Sequence, residues 1–238
     1  MGRFPCCTGS CQQGAWQRDW IERDMARDLH ERLKHFREHT FPRHEREYRK
    51  LMAAGQHPGT LLISCADSRI LPHVLLEAEP GELFSVRNVG NLVPPYDDNA
   101  GYSSTAAAIE YAVLVLRVRD IVVCGHGHCG AIHALYQGAP KEAPHLAQWV
   151  RLAREGALSG APDGRKMRSV EQHSVALQVE RLSRYPMVRE RVERGELAIH
   201  GWYYVIEDGV VLVLDAARRA FVDPAGEVPA EPLAPGAP

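Results

Sequence analysis

The chain reads as an α/β protein: a central, mostly parallel sheet flanked by helices, with an antiparallel C-terminal hairpin and an N-terminal helical arm. Three observations predict this. Short apolar runs alternate with segments of helical pattern, as strands buried on both faces of a parallel sheet do. The stretch "LAIHGWYYVIEDGVVLVLDA" holds two apolar runs around Asp208-Gly209, a strong hairpin signal. Residues 17–53 are rich in Arg, Glu, His and Leu and look helical.

The elements follow in order. The arm is expected to break near Phe41-Pro42, because proline lacks the N–H a helix interior needs. The turn "HPGT" precedes "LLISC" (61–65), a short buried strand. After Pro80-Gly81, "LFSVRN" (83–88) is a second strand. "TAAAIEYAVLVLR" (105–117) is helical, and its alanines permit close packing on a neighbour. "IVVCG" (121–125) is a third buried strand, and a helix begins near Cys129. Another helix covers 169–183, before the hairpin. No internal repeat is visible.

Composition narrows the function classes. The 238 residues are 45% hydrophobic and 24% charged, enough for a substantial core, and are read as a single domain, 1–238. Residues 1–16 and 226–238 are expected to be flexible, the latter because the Pro/Ala-rich "VPAEPLAPGAP" builds no packed element. The net charge of -2 predicts no nucleic-acid partner and no polybasic membrane patch. No apolar run approaches the roughly 20 residues of a membrane span, and "MGRFPCCTGSC" lacks a secretory h-region. Cys6 also stands where a myristoylation signal wants Ser or Thr. The six cysteines are not spread like a disulfide framework, so a reducing, cytoplasmic setting is expected. Cys6, Cys7 and Cys11 lack a fourth ligand and are read as an incidental thiol-rich end.

The chemistry concentrates in "VVCGHGHCGAIHAL" (122–135). In open α/β sheets, sites form beyond the carboxyl ends of the strands. Cys65 and His126 both follow apolar strands, and two such ends in adjacent strands converge in space. His126 and Cys129 are spaced i, i+3, so a helix beginning at Cys129 lets both face one point. His128 would project elsewhere, and Cys124 inside the strand is best read as a small buried hydrophobe. The expected set is Cys65, His126 and Cys129, three protein ligands that leave a fourth position open, as in catalytic zinc sites. "CADSR" (65–69) adds Asp67 and Arg69 beside the first ligand. Taken alone, Asp67 also reads as a cap or turn acceptor and Arg69 as a solvated charge.

C-x-D-x-R followed by G-H-x-x-C-G resembles the β-class carbonic anhydrases. The resemblance extends in order through "GQHP" (55–58), "PGELFSVRNVGNLVPP" (80–95), "AAIEYAV" (107–113), "DIVVCGHGHCGAIHAL" (120–135) and "LAIHGWYYVIEDG" (197–209). It implies a lyase (carbonate dehydratase) with one Zn2+ per subunit. The implied reaction is reversible hydration of carbon dioxide to bicarbonate and a proton by hydroxide held on zinc. It further implies that Asp67 orients that hydroxide and that Arg69 keeps Asp67 ionised and off the metal. Gln56 matches a substrate-bonding glutamine, Gly130 a glycine whose N–H faces substrate, and Phe84 and Tyr111 aromatics supplied by a partner subunit. A homodimer or homotetramer is implied, with the long arm wrapping a neighbour. Leu62 and Ile70 stand where the allosteric branch has tryptophan and valine, so the plant-like, non-allosteric branch is expected. Ala131 departs from a second glycine in many relatives. His128, His73 and His133 are proton-shuttle candidates by intrinsic pKa. The rival readings are a hydrolase of carbonyl sulfide or carbon disulfide on the same scaffold, and a non-catalytic zinc protein.

Overall fold

A computed structural model of the protein describes residues 29–97, 101–156 and 164–233. Residues 1–16, with Cys6, Cys7 and Cys11, lie outside the described residues. The chain divides into two compact units, with the boundary between Ala54 and Gly55.

The described part of the first unit is helical: α1 (Leu29–His35), a π-helical segment (Phe36–Thr40) and α2 (Phe41–Ala54). The break expected near Phe41-Pro42 does not occur. The helix widens just before the proline, and the Phe41 N–H donates to the Phe36 carbonyl, five residues back. Proline removes one donor and crowds the carbonyl four residues earlier, and a π turn absorbs both effects. Phe41 then stacks on Tyr48 with ring centroids 5.6 Å apart.

The second unit carries a seven-stranded sheet. Its strands are β1 (Thr60–Cys65), β2 (Leu83–Asn88), β3 (Asp120–His126), β4 (Ala198–Val205), β5 (Val210–Asp215), β6 (Ala220–Val222) and β7 (Glu231–Pro232), in the order β2-β1-β3-β4-β5-β6-β7. β2, β1, β3 and β4 run parallel, and the remaining pairs are antiparallel. The helices are α3 (Pro72–Leu75), α4 (Ser104–Glu110, continued by π-helical Tyr111–Leu116), α5 (Gly130–Gln137), α6 (Pro144–Val150), α7 (Gly164–Ser183) and α8 (Pro186–Glu193). Strand alternation sorts the apolar residues. Leu61, Ile63, Ile121 and Val123 enter the main core with Val175, Leu182 and Tyr203. Leu62, Val122 and Cys124 pack on the other face beside Trp202. Each such aliphatic side chain contributes roughly 1.5–3 kcal/mol by leaving water. Helix α7 lies tight on β3: a Cβ on Gly125 would sit 2.4 Å from Val175 Cγ2.

Residues 226–233, the described part of the segment expected to be flexible, include a short strand. β7 pairs with β6, the Leu233 N–H donates to the Arg219 carbonyl, and Val228 and Leu233 pack on the main core. Glu231 is held by Arg168 and Gln172 of α7. Proline tolerates a sheet edge, where its missing donor matters little, so the composition did not preclude a strand.

The topology positions the chemistry. In the parallel β1–β3 pair Ser64 lies opposite Cys124, so Cys65 and His126 end adjacent strands at the carboxyl edge of the sheet.

Candidate metal centre

Cys65 is the last residue of β1, His126 the last of β3, and Cys129 the residue immediately before α5. All three are buried, and their ligand atoms lie within 4.8 Å of one another. Among the described residues this is the one group of three or more metal-ligating side chains so placed. The His126 tautomer follows from its neighbour. Nδ1 stands 2.8 Å from the Gly127 carbonyl, which can only accept, so Nδ1 carries the proton. Nε2 is left as a lone pair in the interior, without a hydrogen-bond partner. A buried nitrogen lone pair aimed at two thiols fits a zinc ion, whose sites combine imidazole and thiolate at about 2.0–2.3 Å.

The thiols are electrostatically unequal. The hydrogen bond from Cys129 is the largest influence holding the Cys65 thiol well below its ordinary value, with smaller help from His126 and from the backbone at Asp67 and Gly90. Cys129 is raised by the same contact and by burial. Of the two thiols, Cys65 is the one favoured as thiolate, and Cys129 is the one whose proton its neighbour and burial retain. Cys124 sits on the opposite face, where burial pushes its thiol up to about 12. It behaves as the small hydrophobe the sequence suggested.

Asp67 and Arg69 lie in the turn after β1. Arg69 grips the carboxylate in a fork, Nε to Oδ1 at 2.9 Å and Nη2 to Oδ2 at 2.7 Å, and its backbone N–H adds a third bond to Oδ1 at 3.0 Å. Nη2 also donates to the His128 carbonyl at 2.9 Å, joining the turn after β1 to the turn after β3. The Arg69 fork is the main cause of an Asp67 pKa far below the usual carboxylate range. Asp67 Oδ2 stands 3.9 Å from His126 Nε2, so an ionised carboxylate borders the donor cluster.

Gly130 opens α5, where N–H groups have no helical acceptor. Gln56, Phe84 and Tyr111 are not brought to this cluster. Phe84 packs against Tyr111 with centroids 5.7 Å apart. It pairs with Leu61, four positions before the Cys65–Asn88 pair and therefore about 13 Å down the sheet. Gln56 is exposed and precedes β1, at that same far end. His128 adopts a left-handed backbone (φ 57°) and points its exposed ring toward Glu207, at 3.7 Å. His73 is exposed and His133 is half-buried on α5.

Three supporting residues escaped the sequence reading. Arg87 of β2 donates to the carbonyls of Cys65, Asp67 and Ile70, bracing the turn that carries Asp67 and Arg69. Nothing local marks it, because its partners are backbone atoms about twenty residues away. Glu171 of α7 accepts the Cys129 N–H. Gly90 donates its N–H to Cys65 Sγ at 3.3 Å from a φ of 85°. A Cβ there would fall 2.8 Å from Ala131 Cβ, which also explains how Ala131 is accommodated. Gly90→Ala is expected to destabilise the protein by roughly 1–3 kcal/mol through strain and overlap. Equilibrium urea unfolding measures it, and an unchanged midpoint would contradict the packing described.

A family model for carbonic anhydrases matches residues 60–211. The carbonic anhydrase of Pseudomonas aeruginosa is 39% identical over 202 residues, covering 82% of this chain and 90% of that protein. The solved structure of the β-carbonic anhydrase CcaA superposes with a TM-score of 0.76 at 36% identity, covering 82% of this chain and 98% of that one. Structures of two tetrameric β-carbonic anhydrases from Sordaria macrospora give a TM-score of 0.65 at 28% identity, covering 78% and 94%. The matched span contains both strand ends that form the Cys-His-Cys cluster and the Asp67–Arg69 fork between them, and the chain belongs to the β-class carbonic anhydrase family.

Proposed function

We propose that Cys65, His126 and Cys129 hold one zinc ion per subunit and that Asp67, fixed by Arg69, works beside it in the reversible hydration of carbon dioxide. The reaction is CO2 + H2O to HCO3− + H+. The observation that carries this reading is a buried Cys-His-Cys donor set bordered by a carboxylate that a guanidinium fork keeps ionised.

Zinc, when bound, supplies Lewis acidity that makes water a nucleophile near neutral pH. Asp67 accepts a hydrogen bond from the attacking oxygen, which fixes the O–H direction and turns a lone pair toward carbon dioxide. Arg69 keeps Asp67 charged and stops it from swinging onto the metal ligands. The Gly130 N–H, at the start of α5 where no helical acceptor is available, is the donor assigned to a substrate oxygen. The two thiolates offset the dication's charge, so activity is expected to rise toward mildly alkaline pH. Asp67 contributes no step in that rise. Its pKa is depressed in the folded state, so the Asp67–Arg69 pair stabilises the fold above the unfolded carboxylate value of about 3.9. That contribution is lost only as pH falls through the lowered folded value.

Gln56, Phe84 and Tyr111 complete the site of a second copy. Phe84 and Tyr111 pack on one another away from their own cluster, Gln56 is exposed ahead of β1, and Tyr111 is exposed, as are Leu114 and Val115. The arm exposes Leu29, Leu33 and Met52, which suits burial against another subunit. A homodimer is the smallest assembly this allows, and a tetramer builds on it. Subunit mixing tests the arrangement. Cys65→Ser and Phe84→Ala chains, each impaired alone, should regain activity when co-assembled, because one hybrid site receives an intact cluster and an intact aromatic. Activity equal to the average of the two separate variants would place Phe84 in its own chain's site or outside any.

The buried, unpaired cysteines suit a reducing compartment, and no described helix is long and apolar enough to cross a membrane. Leu62 and Ile70 are both buried, and they support the non-allosteric branch. Stopped-flow carbon dioxide hydration with a pH indicator tests the activity itself: zinc-loaded protein should accelerate proton release, and the zinc-stripped protein should not. Equal rates for both would overturn the proposal.

A further inference from the structure

Helix α7 carries an anomaly. Val175, Gln178 and Leu182 line its buried face, and Glu171 continues that face one turn earlier. A carboxylate in that position is 4% exposed. Burial raises its pKa, and an unsatisfied carboxylate there would be expensive. Both oxygens are engaged. Oε1 accepts the Cys129 N–H at 2.9 Å, and Oε2 accepts the Tyr203 hydroxyl at 2.7 Å.

Those two partners lie on either side of the metal-ligand turn. Cys129 is the residue that caps α5, yet its own side chain makes no capping bond. Its carbonyl is fixed by the His133 N–H inside α5, and its N–H is fixed by Glu171. With both backbone groups held, the direction of the Cα–Cβ bond is set, and Sγ is left only the staggered rotamers about that bond. Tyr203 of β4 is buried, with Arg168 over its ring at 5.6 Å, and its hydroxyl backs the turn that follows His126. A Cβ on Gly127 would lie 3.3 Å from that hydroxyl. One carboxylate thus ties α7, β4 and the start of α5 to the segment running from His126 to Cys129.

We propose that Glu171 is a positioning residue for the metal centre: through the Cys129 N–H and the Tyr203 hydroxyl it pre-sets the Cys129 thiolate for zinc. This rests on the zinc reading above. In Glu171→Gln, the amide oxygen still accepts the Cys129 N–H, and the amide nitrogen can donate to the Tyr203 oxygen. In Glu171→Ala both contacts vanish and Cys129 keeps only its tie within α5. Tyr203→Phe removes one contact and leaves the carboxylate in place.

The test measures zinc affinity by chelator competition on the purified full-length chain, together with the thermal midpoint of the zinc-stripped protein. Glu171→Ala is expected to bind zinc roughly 10- to 100-fold more weakly, the usual loss when an outer partner of a ligand is removed. Glu171→Gln should stay within a few-fold of wild type, and Tyr203→Phe should fall between them. If Glu171→Ala does not fold, Gln and Phe variants carry the test: a graded affinity loss with an unchanged zinc-free midpoint supports the proposal. Wild-type affinity in a folded Glu171→Ala or in Tyr203→Phe overturns it. So does an affinity loss matched by an equal fall of the zinc-free midpoint in every variant, because that marks general destabilisation. Absence of stoichiometric zinc in the wild-type chain would instead overturn the zinc reading, so the two failures are distinguishable.

Discussion

Arg69→Ala is expected to lose most of its turnover, about 100- to 10,000-fold in kcat, while zinc remains bound. The expectation follows from what Arg69 holds. Its guanidinium makes two bonds to the Asp67 carboxylate and one to the His128 carbonyl, and its N–H makes a further bond to Asp67. Removing the side chain frees a carboxylate whose Oδ2 is already 3.9 Å from His126 Nε2. With zinc bound, Asp67 would then be free to take the position that the Cys65, His126 and Cys129 set leaves open and would exclude water from it. The three ligands are untouched, so zinc content stays near one per chain. Metal analysis and stopped-flow assay of the same sample check the prediction. Normal rates, with a crystal structure that keeps Asp67 off the metal, would rule it out. Arg69→Lys is expected to recover only part of the rate, because an ammonium supplies the charge without the fork.

Cys65→Ser is expected to lose zinc itself. Serine offers a neutral hydroxyl where the centre needs a thiolate, and zinc strongly prefers the softer, charged donor. The loss should exceed the roughly 10- to 100-fold that follows removal of an outer partner. The Gly90 N–H also loses its sulfur acceptor. Zinc content after dialysis against a chelator reads the effect directly. Cys124→Ser is the control: that thiol lies on the other face of the sheet, so its variant should keep full zinc. Full zinc in Cys65→Ser would remove Cys65 from the ligand set.

The sequence made part of this legible, for physical reasons. The strand at 61–65 and the one ending at His126 are apolar runs with a ligand at the end, and a parallel sheet brings such ends together. The hairpin at Asp208-Gly209 was equally plain. Arg87 and Glu171 were not, because each acts on backbone atoms that only the assembled fold delivers. Glu171 did leave one trace, a charged residue on the apolar stripe of α7. The continuation of the arm through Pro42 depended on a π turn, a local adjustment that residue periodicity does not reveal. Gln56, Phe84 and Tyr111 could be matched to the family by motif, but within one chain Phe84 and Tyr111 pack together about 13 Å down the sheet from the Cys-His-Cys cluster, so their role depends on the proposed second copy.

The most direct measurement is the first coordination shell of zinc in the loaded protein, by X-ray absorption together with a crystal structure, from about pH 6 to about pH 9. Two sulfurs, one imidazole nitrogen and a fourth neighbour drawn from solvent, with Asp67 still in the Arg69 fork at mildly alkaline pH, is the expected result. An Asp67 oxygen in the fourth position at every pH, or no zinc at the Cys65–His126–Cys129 cluster, would contradict it.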